Sequence, residues 1–235
     1  MSWQHTLREA WNQRSGLARL LWPVSAIVSL IVRQRLRQAR SQAPERCPLP
    51  VVIVGNVVAG GAGKTPTTLA LAADLRACGE SPVIVSKGHG RQGSPRTPFV
   101  VHKRMGAEQV GDEPLLMAHQ AVCPIVVTHD RRQAVDWVVQ TLPEATVLLF
   151  DDGLQDTDLA ADAEVVLFDA RGLGNAWLLP AGPLREPWPR RTWRRGCKTL
   201  HLLTTAAHEA APELGDLDGP LWWVTRNLKP VVRRL

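Results

Sequence analysis

Residues Val51 to Leu75 read VVIVGNVVAGGAGKTPTTLALAADL, an order that predicts a buried strand, a glycine-rich turn and a helix. A strand, a glycine loop and a helix that opens with Lys64-Thr65 form the context of a phosphate-binding loop. The usual spacing, G-x-x-x-x-G-K-[ST], places a glycine five residues before Gly63, where this sequence has Val58. A ligand-free glycine turn is the alternative, which the Lys-Thr pair and the preceding apolar run disfavour.

The expected chemistry of this loop follows from its residue types. Glycines at 60, 61 and 63 leave room for backbone N–H groups to converge on phosphate oxygens, and the following helix adds the positive end of its dipole. We expect Lys64 to reach the terminal phosphates and Thr65 to ligate Mg²⁺.

Alternating apolar runs and helix-compatible stretches continue beyond this loop. The further runs predict strands at Val83–Val85, Ile125–Val127, Val147–Phe150 and Val165–Phe168, and the helix-compatible stretches are Thr65–Ala77, Glu113–Ala121 and Arg131–Thr141. The pattern predicts an α/β fold of the P-loop NTPase type, with a mostly parallel sheet flanked by helices. Beyond about Trp188 the periodicity is poor, and only Leu221–Val224 suggests another strand.

Acidic residues follow two of these segments. Asp151-Asp152-Gly153 comes directly after an apolar run, where an acid can hold the magnesium shell of a phosphate-loop enzyme or simply form a turn. Asp112, in Gly111-Asp112-Glu113-Pro114, can cap a helix or accept a proton from an attacking hydroxyl. The spacing alone does not separate these alternatives.

The composition is that of a globular protein, with 45% apolar and 21% charged residues. Four scattered cysteines favour neither a zinc site nor a disulfide framework, so we expect a reducing compartment. The net charge of +6 resides in residues 1–46, which hold eight arginines and two glutamates. A charge excess confined to one terminal segment gives no reason to expect nucleic-acid binding.

The same N-terminal segment contains an uncharged apolar stretch. Leu20 to Val32 carries no charge and is followed by RQRLRQAR. This stretch is shorter than the roughly 20 residues that cross a bilayer, and Pro23 disfavours a long helix. A secretory signal and an ordinary core helix remain alternatives, but we favour an interfacial helix whose arginines attract anionic lipid.

Four phrases together carry a resemblance to a known family. They are VGNVVAGGAGKTP (Val54–Pro66), VGDEP (Val110–Pro114), DDGLQ (Asp151–Gln155) and GNAWLLPAGPLREP (Gly174–Pro187). With them, residues from about 10 to 188 resemble tetraacyldisaccharide 4'-kinase, the lipid A 4'-kinase of Gram-negative bacteria. The resemblance implies transfer of the ATP γ-phosphate to the 4'-hydroxyl of an acylated glucosamine disaccharide 1-phosphate. It places this reaction at the cytoplasmic face of the inner membrane, and we predict no protein partner.

The resemblance also implies roles for individual residues. Those expected to hold ATP are Val58, Ala59, Gly60, Gly61, Ala62, Gly63, Lys64 and Thr65. Asp112 would be the catalytic acid/base, acting with Lys64. The expected metal ligands are Thr65, Asp151, Asp152 and Glu113, and the substrate-side residues are Lys87, His89 and Arg185.

The sequence departs from the family pattern at several positions. SKGHG (Ser86–Gly90) replaces S-R-G-Y-G, and Asp156 follows DDGLQ where the family has histidine. The family continues past residue 235 into a subdomain with an Asp-His-His motif, whereas the late histidines here are His201 and His208. We therefore expect a membrane-associating segment at 1–46, a kinase core at 47–188 and a diverged or truncated part at 189–235. An impaired ATP- and membrane-binding remnant is the alternative function.

Overall fold

A computed structural model describes residues 9, 11–41, 46–91, 97–190, 192–205 and 211–225. The strands are β1 (Val51–Asn56), β2 (Pro82–Ser86), β3 (Phe99–Val100), β4 (Ile125–Val127), β5 (Val147–Asp151), β6 (Ala163–Asp169), β7 (Lys198–Thr205) and β8 (Leu221–Thr225). The helices are α1 (Gly16–Ser41), α2 (Lys64–Ala77), α3 (Ala107–Val110), α4 (Asp112–Gln120) and α5 (Arg131–Thr141). His208 lies outside the described residues.

The strands form one sheet in the order β3-β4-β2-β5-β1-β6-β7-β8. All neighbouring strands are parallel except β3, which runs antiparallel to β4. β1 lies between β5 and β6, so the glycine loop after β1 and the acids after β5 meet at one edge of the sheet. The predicted α/β architecture is confirmed.

The centre of the sheet is buried on both faces. Ile53, Leu148, Phe150 and Leu167 have no exposed surface or almost none. Continuous apolar strands of this kind suit a parallel sheet covered by helices, and their burial fixes the register that brings the strand ends together.

The sheet includes two strands, β7 and β8, that lie beyond residue 188, where the hydrophobic periodicity of the sequence is poor. The strand β7 was not predicted from the sequence, and it pairs with β6 from Lys198 to Thr204. The expected strand at Leu221–Val224 is present as β8. His201 on β7 is 1% exposed and stacks on Phe168 with ring centroids 6.2 Å apart. Its burial lowers its pKa, although Asp218 nearby acts in the opposite direction. His201 therefore belongs to the core.

Helix α1 is longer than the apolar stretch that predicts it. It spans 26 residues and continues through Pro23, contrary to the expectation that this proline disfavours a long helix. Its length and composition would suffice to cross a membrane, a test that signal sequences and core helices also pass. Large apolar side chains on it are exposed, among them Leu20 at 75% and Leu30 at 67%.

One face of α1 nevertheless docks on the rest of the α/β fold. The buried Ser25 hydroxyl donates to the Leu178 carbonyl and accepts from the Ala181 amide, both at 2.9 Å. The Trp11 indole N–H donates to the Pro180 carbonyl at 2.9 Å. The helix therefore rests on the LLPAGPLREP segment, which contains Arg185.

Candidate active site

The glycine loop connects β1 to the first turn of α2. Gly63 caps this helix with φ 83°, a left-handed conformation that glycine adopts without strain, and α2 begins at Lys64. Gly61 is exposed, and a Cβ built on it meets nothing within 4 Å. The loop therefore presents open backbone in front of a helix N-terminus, the arrangement that favours an anion.

The entry of the loop is occupied by contacts within the protein. The Ala59 amide donates to the Pro183 carbonyl at 2.7 Å, and Val58 forms an isolated bridge with Leu184. The amide of Ala59 is therefore already used within the protein. The available part of the cradle begins at Gly60, and the valine that replaces the usual glycine instead packs with 4% of its surface exposed.

Asn56, at the end of β1, holds the backbone of the glycine loop through hydrogen bonds. It is fully buried, and its side-chain amide donates to the Gly60 carbonyl at 3.1 Å and also to the Val58 carbonyl. The Asn56 Oδ1 atom accepts from Lys64 Nζ at 3.3 Å. One side chain thus fixes both the backbone of the loop and the direction of its lysine.

Lys64 and Arg185 converge on Asp152. Lys64 Nζ lies 3.7 Å from Asp152 Oδ2, and Arg185 Nη1 donates to both carboxylate oxygens at 2.8 and 3.1 Å. Asp152 adopts φ 57°, which costs energy in a residue with a side chain. Two cationic side chains thus meet one carboxylate beside the glycine loop, and the residue that carries it has a strained backbone.

Asp151 occupies a different environment from its neighbour. It is 3% exposed, and the Thr68 hydroxyl on α2 lies 3.2 Å from its Oδ1 atom. Burial, followed by the charges of Glu113 and Asp152, raises its pKa to about 6, with Lys64 acting in the opposite direction. A cation bound nearby would favour the charged form of this buried carboxylate.

The donor set suits magnesium that arrives with a nucleotide. Across the described ranges, no three His, Cys, Asp or Glu side chains form a ready-made metal site, and Asp152 is already paired with Arg185. The expected ligands Thr65, Asp151, Asp152 and Glu113 therefore do not form a closed cage. Mg²⁺ commonly uses one or two carboxylates together with substrate phosphates and water, and the half-buried Thr65 with the acids Asp151 and Glu113 offers oxygen ligands of that kind.

Asp112 is the first residue of a helix whose preceding Gly111 packs against the SKGHG segment. It is exposed and begins α4, and its N-terminal neighbour Gly111 has φ 92°. A Cβ built on Gly111 would lie 2.7 Å from the His89 carbonyl oxygen. This close approach places Asp112 and Glu113 beside the segment that carries Lys87 and His89.

The two departures from the family pattern contact each other. Lys87 Nζ lies 2.8 Å from Asp156 Oδ1, and Asp156 also forms an ion pair with the buried Arg131. Desolvation lowers the pKa of Lys87, with Arg131 contributing in the same direction. His129 lies near this cluster, and its pKa is lowered first by desolvation and then by Arg91, His89 and Lys87.

A cleft of about 510 Å³ lies against the glycine loop. Its lining includes Gly60, Gly61, Asp169 and Arg171. Arg171 Nη2 pairs with Asp169 at 2.6 Å, and a Cβ on Gly60 would lie 3.0 Å from the Arg171 guanidinium. The volume lies in the range of ordinary small-molecule sites.

Several residues of the site carried no assigned role in the sequence analysis. They are Asn56, Thr68, Arg131, Gln155 and Glu186, and each contacts a predicted residue or the loop that carries one. Asn56 had a usable signal, since it is a polar residue at the end of an apolar strand. The contacts of the others depend on pairings across long sequence separations.

Comparisons with known proteins identify a family and a similar solved structure. The family model described as Tetraacyldisaccharide-1-P 4'-kinase matches residues 17–214, so the similarity continues past residue 188, where the sequence analysis ended it. Curated relatives named tetraacyldisaccharide 4'-kinase include those of Acidovorax sp. (strain JS42), 46% identical over 78% of this chain and 54% of that protein. The protein from Janthinobacterium sp. (strain Marseille) is 47% identical over 79% of this chain and 53% of its own length.

The chain thus spans about half the length of the curated relatives it matches. Among solved structures, it resembles the "apo" form of LpxK from Aquifex aeolicus in complex with ATP, with a TM-score of 0.73 and 28% identity. That match covers 88% of this chain and 64% of the other.

Proposed function

Because the chain belongs to the tetraacyldisaccharide-1-P 4'-kinase family, we propose that it transfers the γ-phosphate of ATP to the 4'-hydroxyl of a tetraacylated glucosamine disaccharide 1-phosphate. The observation that carries the proposal is the convergence of Lys64 and Arg185 on Asp152 beside an open glycine loop. These groups match what phosphoryl transfer requires, namely fixed positive charge and an anion cradle in front of a helix.

Each residue has a distinct task in this proposal. The loop from Gly60 to Thr65 holds the phosphates of ATP, and Lys64 neutralises charge that develops during transfer. Asp112 accepts the proton of the attacking hydroxyl. The cleft at Arg171 provides space for the nucleoside.

Magnesium belongs to the proposed reaction. Thr65 and Asp151, with Glu113 nearby, would hold it together with the ATP phosphates, and when bound it neutralises phosphate charge. Asp152 orients Lys64 and Arg185 while they are free of nucleotide. Substrate-side contacts fall to Lys87, His89 and Arg185, which lie on the loops around the acids.

The exposed apolar surface of α1 supports a location on a lipid surface. An acylated acceptor stays in a bilayer, so the kinase has to work at its boundary. We propose that α1 lies in the cytoplasmic face of the inner membrane, with its C-terminal arginines near anionic headgroups. Ser25 then couples the lipid-facing helix to the segment that carries Arg185.

The direct test is ATP-dependent phosphorylation of the tetraacyl disaccharide 1-phosphate in detergent micelles. The full chain should transfer labelled γ-phosphate to the 4' position, and Lys64→Ala should reduce the rate by about 10²–10³-fold. ATP binding without transfer would support the impaired-remnant alternative instead. Equal rates for the full chain and Lys64→Ala would contradict the assigned role of the lysine.

A further inference from the structure

The loop that follows β5 carries several groups of the candidate site without regular secondary structure to hold it. Asp152, Gln155 and Asp156 lie on this segment of residues 152–159, which we call the acidic loop. Asp152 has a positive φ, and such a conformation persists only where surrounding contacts impose it. The contacts that hold the loop therefore decide where its carboxylates lie.

Arg194 binds the backbone of the acidic loop. It lies beyond residue 188, where the hydrophobic periodicity of the sequence is poor. Its guanidinium donates to the carbonyls of Asp156 at 2.6 Å, Leu159 at 2.9 Å and Gly153 at 3.3 Å. The side chain is 1% exposed and lies over the Trp193 ring, 4.2 Å from its centroid. One planar fork thus ties together carbonyls from both ends of the loop.

The buried charge of Arg194 is balanced inside the protein. Glu164 has no exposed surface and pairs with both Arg194 and Arg190, the latter at 2.6 Å. Burial alone would raise the pKa of Glu164, but the two arginines lower it, so it remains a carboxylate. The guanidinium is therefore held in place as well as neutralised.

The same network reaches the glycine loop. Arg190 pairs with Glu186 at 3.2 Å, and Glu186 accepts from Gln155 Nε2 at 2.9 Å. Gln155 Nε2 also lies 3.3 Å from the carbonyl of Asn56, which orients Lys64. A continuous polar chain, buried except at the half-buried Gln155, thus runs from residues 190–194 to the phosphate-binding loop.

We propose that Arg194 is a positioning residue for phosphoryl transfer, acting through the acidic loop and contacting neither nucleotide nor acceptor. Arg131 holds the start of the loop through the carbonyls of Asp151 and Asp152, whereas Arg194 holds the remainder. A lysine could balance Glu164 but could not span three separated carbonyls, because its ammonium is a point charge and not a planar fork. This role rests on the proposed kinase function.

The test compares Arg194→Lys with Arg195→Lys in the full chain. Arg195 is the exposed neighbour and serves as the matched control. Hydrogen exchange of a peptide covering 152–157 reports on the loop, because the Asp152 amide donates to Val54 at 2.8 Å and the Asp156 amide to Gly153 at 3.1 Å. We expect exchange there to quicken about 10-fold or more in Arg194→Lys alone, with β1 unchanged.

The kinetic counterpart is a fall in kcat of about 10-fold or more, with KM for ATP within about threefold, because the glycine loop itself is intact. A merely structural role would lower melting temperature without changing kcat per folded molecule. Unchanged exchange or unchanged kcat in folded Arg194→Lys would overturn the proposal.

Two further outcomes, a variant that does not fold and a chain that transfers no phosphate, can be told apart from failure of the proposal. Should Arg194→Lys fail to fold, the double variant Glu164→Gln/Arg194→Met removes the Arg194–Glu164 charge pair and leaves Arg190 paired with Glu186. The same loop exchange and kcat changes are expected of it. If the unmodified chain transfers no phosphate at all, the kinase proposal fails. The exchange comparison still decides whether Arg194 holds the acidic loop.

Discussion

Replacing Asp151 with asparagine should stabilise the protein while impairing its use of magnesium. Asparagine is nearly isosteric with aspartate but cannot ionise. In the folded protein the pKa of Asp151 is raised from 3.8 to about 6, first by burial and then by Glu113 and Asp152. The folded state therefore binds this proton more tightly than the unfolded state does, and ionisation at neutral pH opposes folding.

The size of the effect follows from that rise in pKa. A change from 3.8 to about 6 corresponds to about 3 kcal/mol of unfolding free energy once both states are ionised. The penalty is absent below pH 3.8, grows as the pH rises and is complete above about pH 6. About half of it is present at pH 5. Asp151→Asn should therefore gain about 1–3 kcal/mol at pH 8 and roughly half as much at pH 5.

Urea unfolding of the nucleotide-free protein at pH 5 and pH 8 measures both values. Asp74→Asn, at an exposed position of α2, is the matched control and should change stability by less than about 0.5 kcal/mol. The same Asp151→Asn variant should show weaker dependence of ATP binding on Mg²⁺, because a neutral amide is a poorer ligand. Destabilisation at pH 8, or an equal gain at the two pH values, would refute the reasoning.

Three further perturbations test other contacts. Gly111→Ala forces a Cβ to within 2.7 Å of the His89 carbonyl at positive φ, so we expect a loss of about 1–3 kcal/mol in urea unfolding and reduced phosphorylation. Ser25→Ala leaves two buried backbone groups without their hydroxyl partner and should cost about 1–3 kcal/mol, whereas Ser29→Ala on the same helix should cost little. Deleting residues 1–40 should release the protein from lipid vesicles in sedimentation, and continued sedimentation would contradict the interfacial role of α1.

Local pattern predicted the central sheet well. The five expected strands and the helix after the glycine loop are present, because short β-branched runs and a Lys-Thr helix start have few competing structures. β7 was missed for a physical reason. Its residues, KTLHLLTT, follow an arginine-rich stretch that resembles surface sequence, yet Arg190 and Arg194 are 4% exposed and pair with a buried glutamate.

The candidate site was predictable only where it depends on strand order. Lys64 and Asp152 meet because their strands are neighbours, and the family resemblance pointed to Arg185. The roles of Thr68 and Arg194 arise from contacts that single-sequence patterns do not encode. The packing of α1 could not be predicted either, because nothing in the sequence distinguishes the buried Ser25 from an exposed serine on the same apolar helix.

Calorimetric titration of the folded, full chain with Mg-ATP tests most directly whether this glycine loop holds a triphosphate. The structure predicts one-to-one binding with measurable heat, and Lys64→Ala should weaken it by about tenfold or more, since the ammonium beside Asp152 is removed. No heat of association up to millimolar Mg-ATP would contradict the central claim.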